Sequence, residues 1–107
     1  MIYELRTYTA APGKAAALKQ RFRDHVIPGF KRHGIELVGC WEPVGQPDQF
    51  VYLTRFADAA ASKAAWDNFA KDEDWQRAKA ESEKAGRFLA GQSVVALLPT
   101  DFSGLLK

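Results

Sequence analysis

A chain of 107 residues is long enough for one compact domain and too short for two, so residues 1–107 are treated as a single domain. Its 47% hydrophobic and 26% charged content exclude a disordered chain. A formal net charge of +2 is too small to predict a nucleic-acid partner. Neither a signal-peptide pattern nor an apolar run of membrane-spanning length is present, so we expect a cytoplasmic protein without membrane insertion.

The first predicted elements are a strand over residues 2–9 and a helix after Pro12 and Gly13. In the helix, apolar residues recur at spacings of three and four and form one stripe. The stripe consists of Ala15, Leu18, Phe22, Val26 and Phe30. Four basic residues are assigned to a solvated face instead. They are Lys19, Arg21, Arg23 and Lys31. Pro28 removes a backbone hydrogen bond and is expected to kink the last turns, which Gly34 closes.

The middle of the chain predicts a hairpin followed by helices. Strands are predicted over residues 35–42 and 50–56, and the turn-forming residues between them indicate a long hairpin loop. Asp58 is the expected N-cap of the second helix. The acidic run 72–74 suits the start of another helical segment, which we expect to end at Gly86.

A fourth strand is predicted at about residues 92–98, before Pro99 and a tail over residues 100–107. The order β-α-β-β-α-β predicts an α+β fold of the ferredoxin-like type, with a four-stranded antiparallel sheet and helices on one face. The other face of the sheet is then uncovered, and a small domain usually covers such a face by association. We therefore expect a homodimer in which two sheets face each other.

With these elements placed, the chain resembles the NIPSNAP family of the dimeric α+β-barrel superfamily. The residues that carry the resemblance are Ile2–Tyr8, Pro12-Gly13, Pro28, His33-Gly34, Gly39–Trp41, Asp74-Trp75 and Pro99–Ser103. The resemblance covers almost the whole chain and implies the dimeric α+β-barrel fold. Relatives elsewhere in the superfamily include cofactor-free monooxygenases and isomerases, so the resemblance also implies such chemistry as an alternative. The chain departs from the usual family pattern at Phe50–Phe56, where many members carry His and Trp.

The most suggestive polar group is Glu4, Arg6 and Tyr8, because alternation places the three side chains on one face of the first strand. An arginine flanked by a carboxylate and a phenol is suited to an anionic or enol-type substrate. The alternative interpretation is an ion pair between Glu4 and Arg6 at the dimer interface, with Tyr8 as an aromatic contact.

His25 is the candidate general base, because it lies beside the apolar stripe and histidine titrates near neutral pH. The alternative is a half-buried histidine that is hydrogen-bonded to the backbone. Trp41 and Arg55 join Arg6 and Tyr8 as candidate substrate-binding residues, with Trp41 expected to line the pocket.

We expect neither a metal nor a cofactor. The two histidines, His25 and His33, have no carboxylate that completes a convincing ligand set. The sequence also lacks a GxGxxG motif and a phosphate-binding loop. A possible partner is therefore a small-molecule ligand, besides the second copy in the homodimer.

Three functions stay open. The first is binding of a small organic molecule in a cleft between sheet and helices, which we favour because the polar groups are few. The second is a cofactor-independent monooxygenase or isomerase for a small aromatic or enolisable substrate. The third is a protein-interaction module without catalysis. A cavity lined by His25 together with Arg6, Tyr8 or Arg55 favours the first two. A cleft filled by Phe22, Trp66 and Phe69 favours the third.

Overall fold

The computed structural model describes residues 1–104 and has a four-stranded sheet with helices on one face. The strands are β1 (Ile2–Ala10), β2 (Glu36–Trp41), β3 (Gln49–Phe56) and β4 (Leu89–Leu97). The sheet order is β2-β3-β1-β4, and each neighbouring pair is antiparallel. This order confirms the predicted α+β, ferredoxin-like fold. The end of the predicted tail, residues 105–107, lies outside the described residues.

The helices begin near the predicted positions, and the differences concern the end of the last helix and the start of the last strand. They are α1 (Ala15–Arg21), a π-helical turn (Phe22–Val26), α2 (Ile27–Arg32), α3 (Ala59–Ala70) and α4 (Glu73–Ser82). Asp58 caps α3 as predicted, since its carboxylate accepts a 2.8 Å hydrogen bond from the backbone N–H of Ala61. However, α4 ends at Ser82 and not at Gly86, and β4 begins earlier than predicted.

Pro28 explains the π-helical turn in the first helical stretch. Proline has no N–H to donate, and its ring would crowd the carbonyl group four residues earlier, which belongs to Asp24. The backbone widens just before the proline, where the N–H of Ile27 bonds to the carbonyl of Phe22, five residues back. The predicted disturbance at Pro28 therefore takes the form of a wide turn, and Phe22 and Val26 both stay buried.

The core lies between the helices and one face of the sheet, and Phe30 is at its centre. The Phe30 side chain is 1% exposed and makes edge-to-face contacts with Phe22, Trp66 and Phe69, with ring centroids 5.4–5.8 Å apart. It also packs against Tyr52 of β3. Residues from the first helical stretch, α3 and β3 thus share one aromatic core.

An ion-pair cluster joins the end of α2 to the start of α4. Asp72 accepts two 2.9 Å hydrogen bonds from the Arg32 guanidinium, lies 2.7 Å from Nε2 of His33, and caps α4 through the N–H of Trp75. The Arg32 hydrogen bonds, followed by that of the Trp75 N–H, hold the pKa of Asp72 well below its usual range. The cluster fixes Trp75 where its ring stacks on Phe69, with centroids 5.4 Å apart.

The other face of the sheet, here called the open face, carries no helix among residues 1–104. It presents large apolar side chains, of which Trp41, Val95 and Leu97 are 51%, 50% and 41% exposed. Tyr3 is an exception on this face, because it is buried beside the segment Pro99–Ser103, with which it shares a hollow. None of the helices within residues 1–104 is long and apolar enough to cross a membrane.

We expect Phe30→Ala to lower the free energy of unfolding by about 3–5 kcal/mol, because it removes a ring that is only 1% exposed at the centre of the aromatic core. Phe102→Ala is the matched control, since Phe102 is 83% exposed and its loss should change stability by less than about 0.5 kcal/mol. Urea denaturation measures both changes. Equal losses in the two variants would contradict this placement of the core.

Candidate functional site

The side chains of Glu4, Arg6 and Tyr8 point towards the helices. Their strand partners on the same face of the sheet are Thr54, Tyr52 and Phe50, and the last two belong to the aromatic core. The predicted ion pair between Glu4 and Arg6 is present, with a nitrogen–oxygen distance of 3.1 Å. The pair lies under the chain's own helices. This position corrects the alternative interpretation, in which the pair belonged to a dimer interface between two facing sheets.

The carboxylate of Glu4 is the most heavily bonded group of the site. Its side chain is 12% exposed. It accepts hydrogen bonds from Nη2 of Arg6 at 3.1 Å, from Nε1 of Trp66 at 2.9 Å and from the hydroxyl of Ser62. A poorly solvated carboxylate needs such donors, because burial without them is costly. Glu4 therefore ties β1 to α3.

Arg6 lies against the indole of Trp66, with the guanidinium carbon 4.2 Å from the ring centroid. A cation over the face of a tryptophan is attracted by the ring quadrupole. Glu4 bonds only Nη2 of this guanidinium, and its Nε is buried without a hydrogen-bond partner among residues 1–104. Arg6 thus retains unused donor capacity next to an aromatic surface.

Tyr8 and Tyr52 form a phenol pair, with their hydroxyl oxygens 2.7 Å apart and their rings edge to face. Tyr52 is 1% exposed. Burial, followed by the neighbouring Tyr8, raises the pKa of Tyr52 far above its ordinary value. The Tyr52 hydroxyl therefore keeps its proton at neutral pH and acts as a hydrogen-bonding group, not as a base.

Arg21 belongs to the site, although the sequence assigned it to a solvated basic face. Its side chain is 7% exposed and lies between the rings of Phe88 and Trp75, 4.4 and 5.2 Å from their centroids. Its Nη1 donates to Glu83 at 2.7 Å and to Ser82 at 3.2 Å, while its Nε is buried without a partner within residues 1–104. The overlooked signal was its position three residues after Leu18, which places both on one helix face.

These groups surround a cavity of about 360 Å³ between the sheet and the helices. We call it the central cavity. Most of its walls are aromatic or aliphatic. The lining residues are Arg6, Tyr8, Leu18, Arg21, Phe22, Val26, Phe30, Tyr52, Trp66, Phe69, Ala70, Trp75, Lys79, Leu89 and Gln92. Two of the predicted site residues, Arg6 and Tyr8, are therefore brought together here.

The other predicted site residues lie elsewhere. His25 is exposed and borders two surface hollows, one of which it shares with Arg21. Contrary to the expectation for a general base, it is not part of the lining of the central cavity. Trp41 is half exposed on the open face, with its ring over Gly39. Arg55 also lies on the open face and pairs with Glu36 of β2. The sequence could not show that these residues lie away from the cavity, because tertiary packing sets their distance from it.

A family model described as NIPSNAP matches residues 3–104 of the chain. No curated protein matches this chain. An uncharacterised NIPSNAP domain protein from Burkholderia xenovorans is 25% identical, with a TM-score of 0.81 over 97% of this chain and 99% of that one. A NIPSNAP family protein from Agrobacterium tumefaciens is 24% identical, with a TM-score of 0.84 over 98% of both chains. An antibiotic biosynthesis monooxygenase is 14% identical, with a TM-score of 0.65 over 94% of this chain and 99% of that one, a likeness of fold alone.

We expect Tyr52 to remain protonated up to about pH 12 while the protein is folded, although tyrosine ordinarily ionises near pH 10. Tyrosinate absorbance between about pH 9 and 12 should therefore have the same amplitude in the parent protein and in Tyr52→Phe, with circular dichroism confirming that both remain folded. The chain has three tyrosines. A smaller amplitude in the variant than in the parent protein would show instead that Tyr52 ionises in this range.

Proposed function

This chain belongs to the NIPSNAP family, and from that premise we propose that it binds a small organic molecule in the central cavity. The observation that carries the proposal is the cavity itself, about 360 Å³ in volume with aromatic walls and a few convergent polar groups. Ligand sites in proteins typically have volumes of roughly 300–1,000 Å³ and this type of lining. The cavity therefore suits a compact ligand of one or two rings.

The walls favour a flat apolar ligand body. Trp66, Phe69 and Trp75 form a continuous aromatic wall, with neighbouring centroids 6.2 and 5.4 Å apart. Phe22 and Val26 lie on the helical side of the same cavity. Offset and edge-to-face contacts with such rings stabilise an aromatic guest beyond the gain from its buried area.

The polar groups of the cavity supply orientation. The phenol pair, Tyr8 and Tyr52, carries two hydroxyl protons, and only one of them is used in the bond between the two hydroxyls. The second proton is available to an acceptor atom of the ligand. Arg6 and Gln92 add further donors on the sheet side.

We favour binding over oxygenase or isomerase chemistry because the predicted base, His25, does not line the cavity. The lining drawn from residues 1–104 contains no His, Asp or Glu, and His25 lies outside it. A general base must lie within hydrogen-bond reach of the proton that it abstracts. An interaction module is also less favoured, because the aromatic side chains line the cavity without filling it.

We also propose that two copies associate through their open faces. The exposed side chains of Trp41, Val95 and Leu97 support this proposal, because monomeric proteins rarely leave a contiguous apolar surface of this kind uncovered. A second copy offers the same surface, and a two-fold interface requires a patch that complements itself.

N-phenyl-1-naphthylamine, an uncharged probe that fluoresces in apolar sites, tests the binding function. We expect saturable binding with energy transfer from the cavity tryptophans. Val26→Phe places extra volume in the cavity and should weaken binding at least about tenfold, because the probe and the new ring compete for one space. Ala16→Phe adds a ring on the exposed side of α1 and should change nothing.

Gln92→Phe, at an exposed position of the cavity lining, serves as a second blocking variant if Val26→Phe unfolds. Thermal melts establish that each variant is folded before it is titrated. Probe binding that is unchanged in both blocking variants, or absent from the folded parent protein, would refute the proposed function.

Sedimentation equilibrium tests the association of two copies. We expect the parent protein to be a dimer at micromolar concentration and Val95→Lys to be a monomer, because a charge would have to be buried in the interface. Val44→Lys is the matched control in the exposed β2–β3 loop and should remain dimeric. A folded monomer of the parent protein would contradict the proposal.

A further inference from the structure

We infer that the central cavity selects ligands in which a flat aromatic body carries a carboxylate, over neutral ligands of the same shape. This inference rests on the proposed binding function and specifies the class of ligand. Its basis is the charge of the lining. Three lining residues are cationic, Arg6, Arg21 and Lys79, and the lining within residues 1–104 contains no acidic residue.

Each of the two arginines has one carboxylate partner, which leaves some of its N–H donors unused. Glu4 bonds Nη2 of Arg6, and Glu83 bonds Nη1 of Arg21. Neither carboxylate lines the cavity, and each leaves the Nε of its arginine without a partner among residues 1–104. Lys79 occupies an exposed position of the lining. The charged side chains that line the cavity are therefore all cationic, although each arginine also has a carboxylate partner outside the lining.

Arg21 makes the strongest contribution to this inference because it is the least solvated cation of the site. Its side chain is 7% exposed, and its guanidinium carbon lies 4.4 and 5.2 Å from the ring centroids of Phe88 and Trp75. With Nη1 occupied, the edge of the guanidinium that holds Nε and Nη2 is the edge suited to a two-point bond with a carboxylate. The Nε has almost no exposed surface and no acceptor, so an anion bonds it when the guanidinium turns this edge towards the cavity.

The aromatic wall connects the two arginines. Arg6 lies over Trp66 at one end, Arg21 lies beside Trp75 at the other, and Phe69 contacts both tryptophans. A flat ring system placed against Phe69 is thus flanked by a guanidinium on either side. A carboxylate attached to that ring meets a cation in either orientation, whereas a neutral ligand forms no ion pair with either guanidinium.

Isothermal titration calorimetry with 2-naphthoate and its neutral isostere 2-naphthamide tests the inference on the full chain at low ionic strength. We expect naphthoate to bind at least about tenfold more tightly, because charge-assisted hydrogen bonds are stronger than neutral ones. Arg21→Met keeps an unbranched apolar stem between the two rings and should remove most of this preference. Arg21→Lys, which retains the charge, should keep part of it.

Arg55→Met is the matched control. Arg55 also has a buried Nε without a partner among residues 1–104 and an acidic partner, Glu36, but it lies on the open face. Its replacement should leave the affinities for both ligands unchanged. If Arg21→Met fails to fold, the double variant Glu4→Gln/Arg6→Met removes the other cation together with its carboxylate partner and should reduce the preference in the same way.

The outcomes separate this inference from the function on which it rests. Equal affinities for naphthoate and naphthamide, with binding of both blocked by Val26→Phe, would overturn the inference and leave the binding function standing. Affinity for naphthoate that persists in Arg21→Met and in Glu4→Gln/Arg6→Met would also overturn it. Absence of binding by either ligand and by the uncharged probe would overturn both proposals.

Discussion

The burial of one carboxylate, that of Glu4, is the constraint on which the rest of the site depends. A carboxylate in the middle of a sheet, under helices, is stable only if donors surround it. Ser62 and Trp66 of α3 and Arg6 of the same strand supply these donors. Helix α3 therefore has one position over β1, and the indole of Trp66 has one orientation. Arg6 is held over that indole as a consequence.

The packing of other side chains around Trp66 then determines the shape of the cavity. Trp66 sets the position of Phe69, and the Asp72 cluster sets Trp75 against Phe69, so the aromatic wall is anchored at both ends. The wide turn before Pro28 lets Phe22 and Val26 enter the same core while the helix continues.

Proteins with this fold and about a quarter of their residues in common share the placement of strands and helices. The fold is kept because it depends on the alternation and periodicity of apolar residues, which many sequences satisfy. The chemistry of a site depends on a few side chains, and a fold alone does not fix them. For this reason the function proposed here rests on the cavity lining and its charges.

The sequence by itself determined the order of the strands and helices, the hairpin, the Asp58 cap and the common face of Glu4, Arg6 and Tyr8, because these follow from local periodicity and capping chemistry. It could not say which face of β1 the helices cover, since both faces carry apolar and polar residues.

Only the tertiary structure decided that Arg21 enters the cavity, whereas His25, one helical turn later, points away from it. The π-helical turn starts between them and changes the angular spacing on which a helical projection relies. The positions of Trp41 and Arg55 on the open face were likewise fixed by strand register and by a register shift in β2, between Leu37 and Gly39. Such long-range pairing is not encoded in any short segment of the chain.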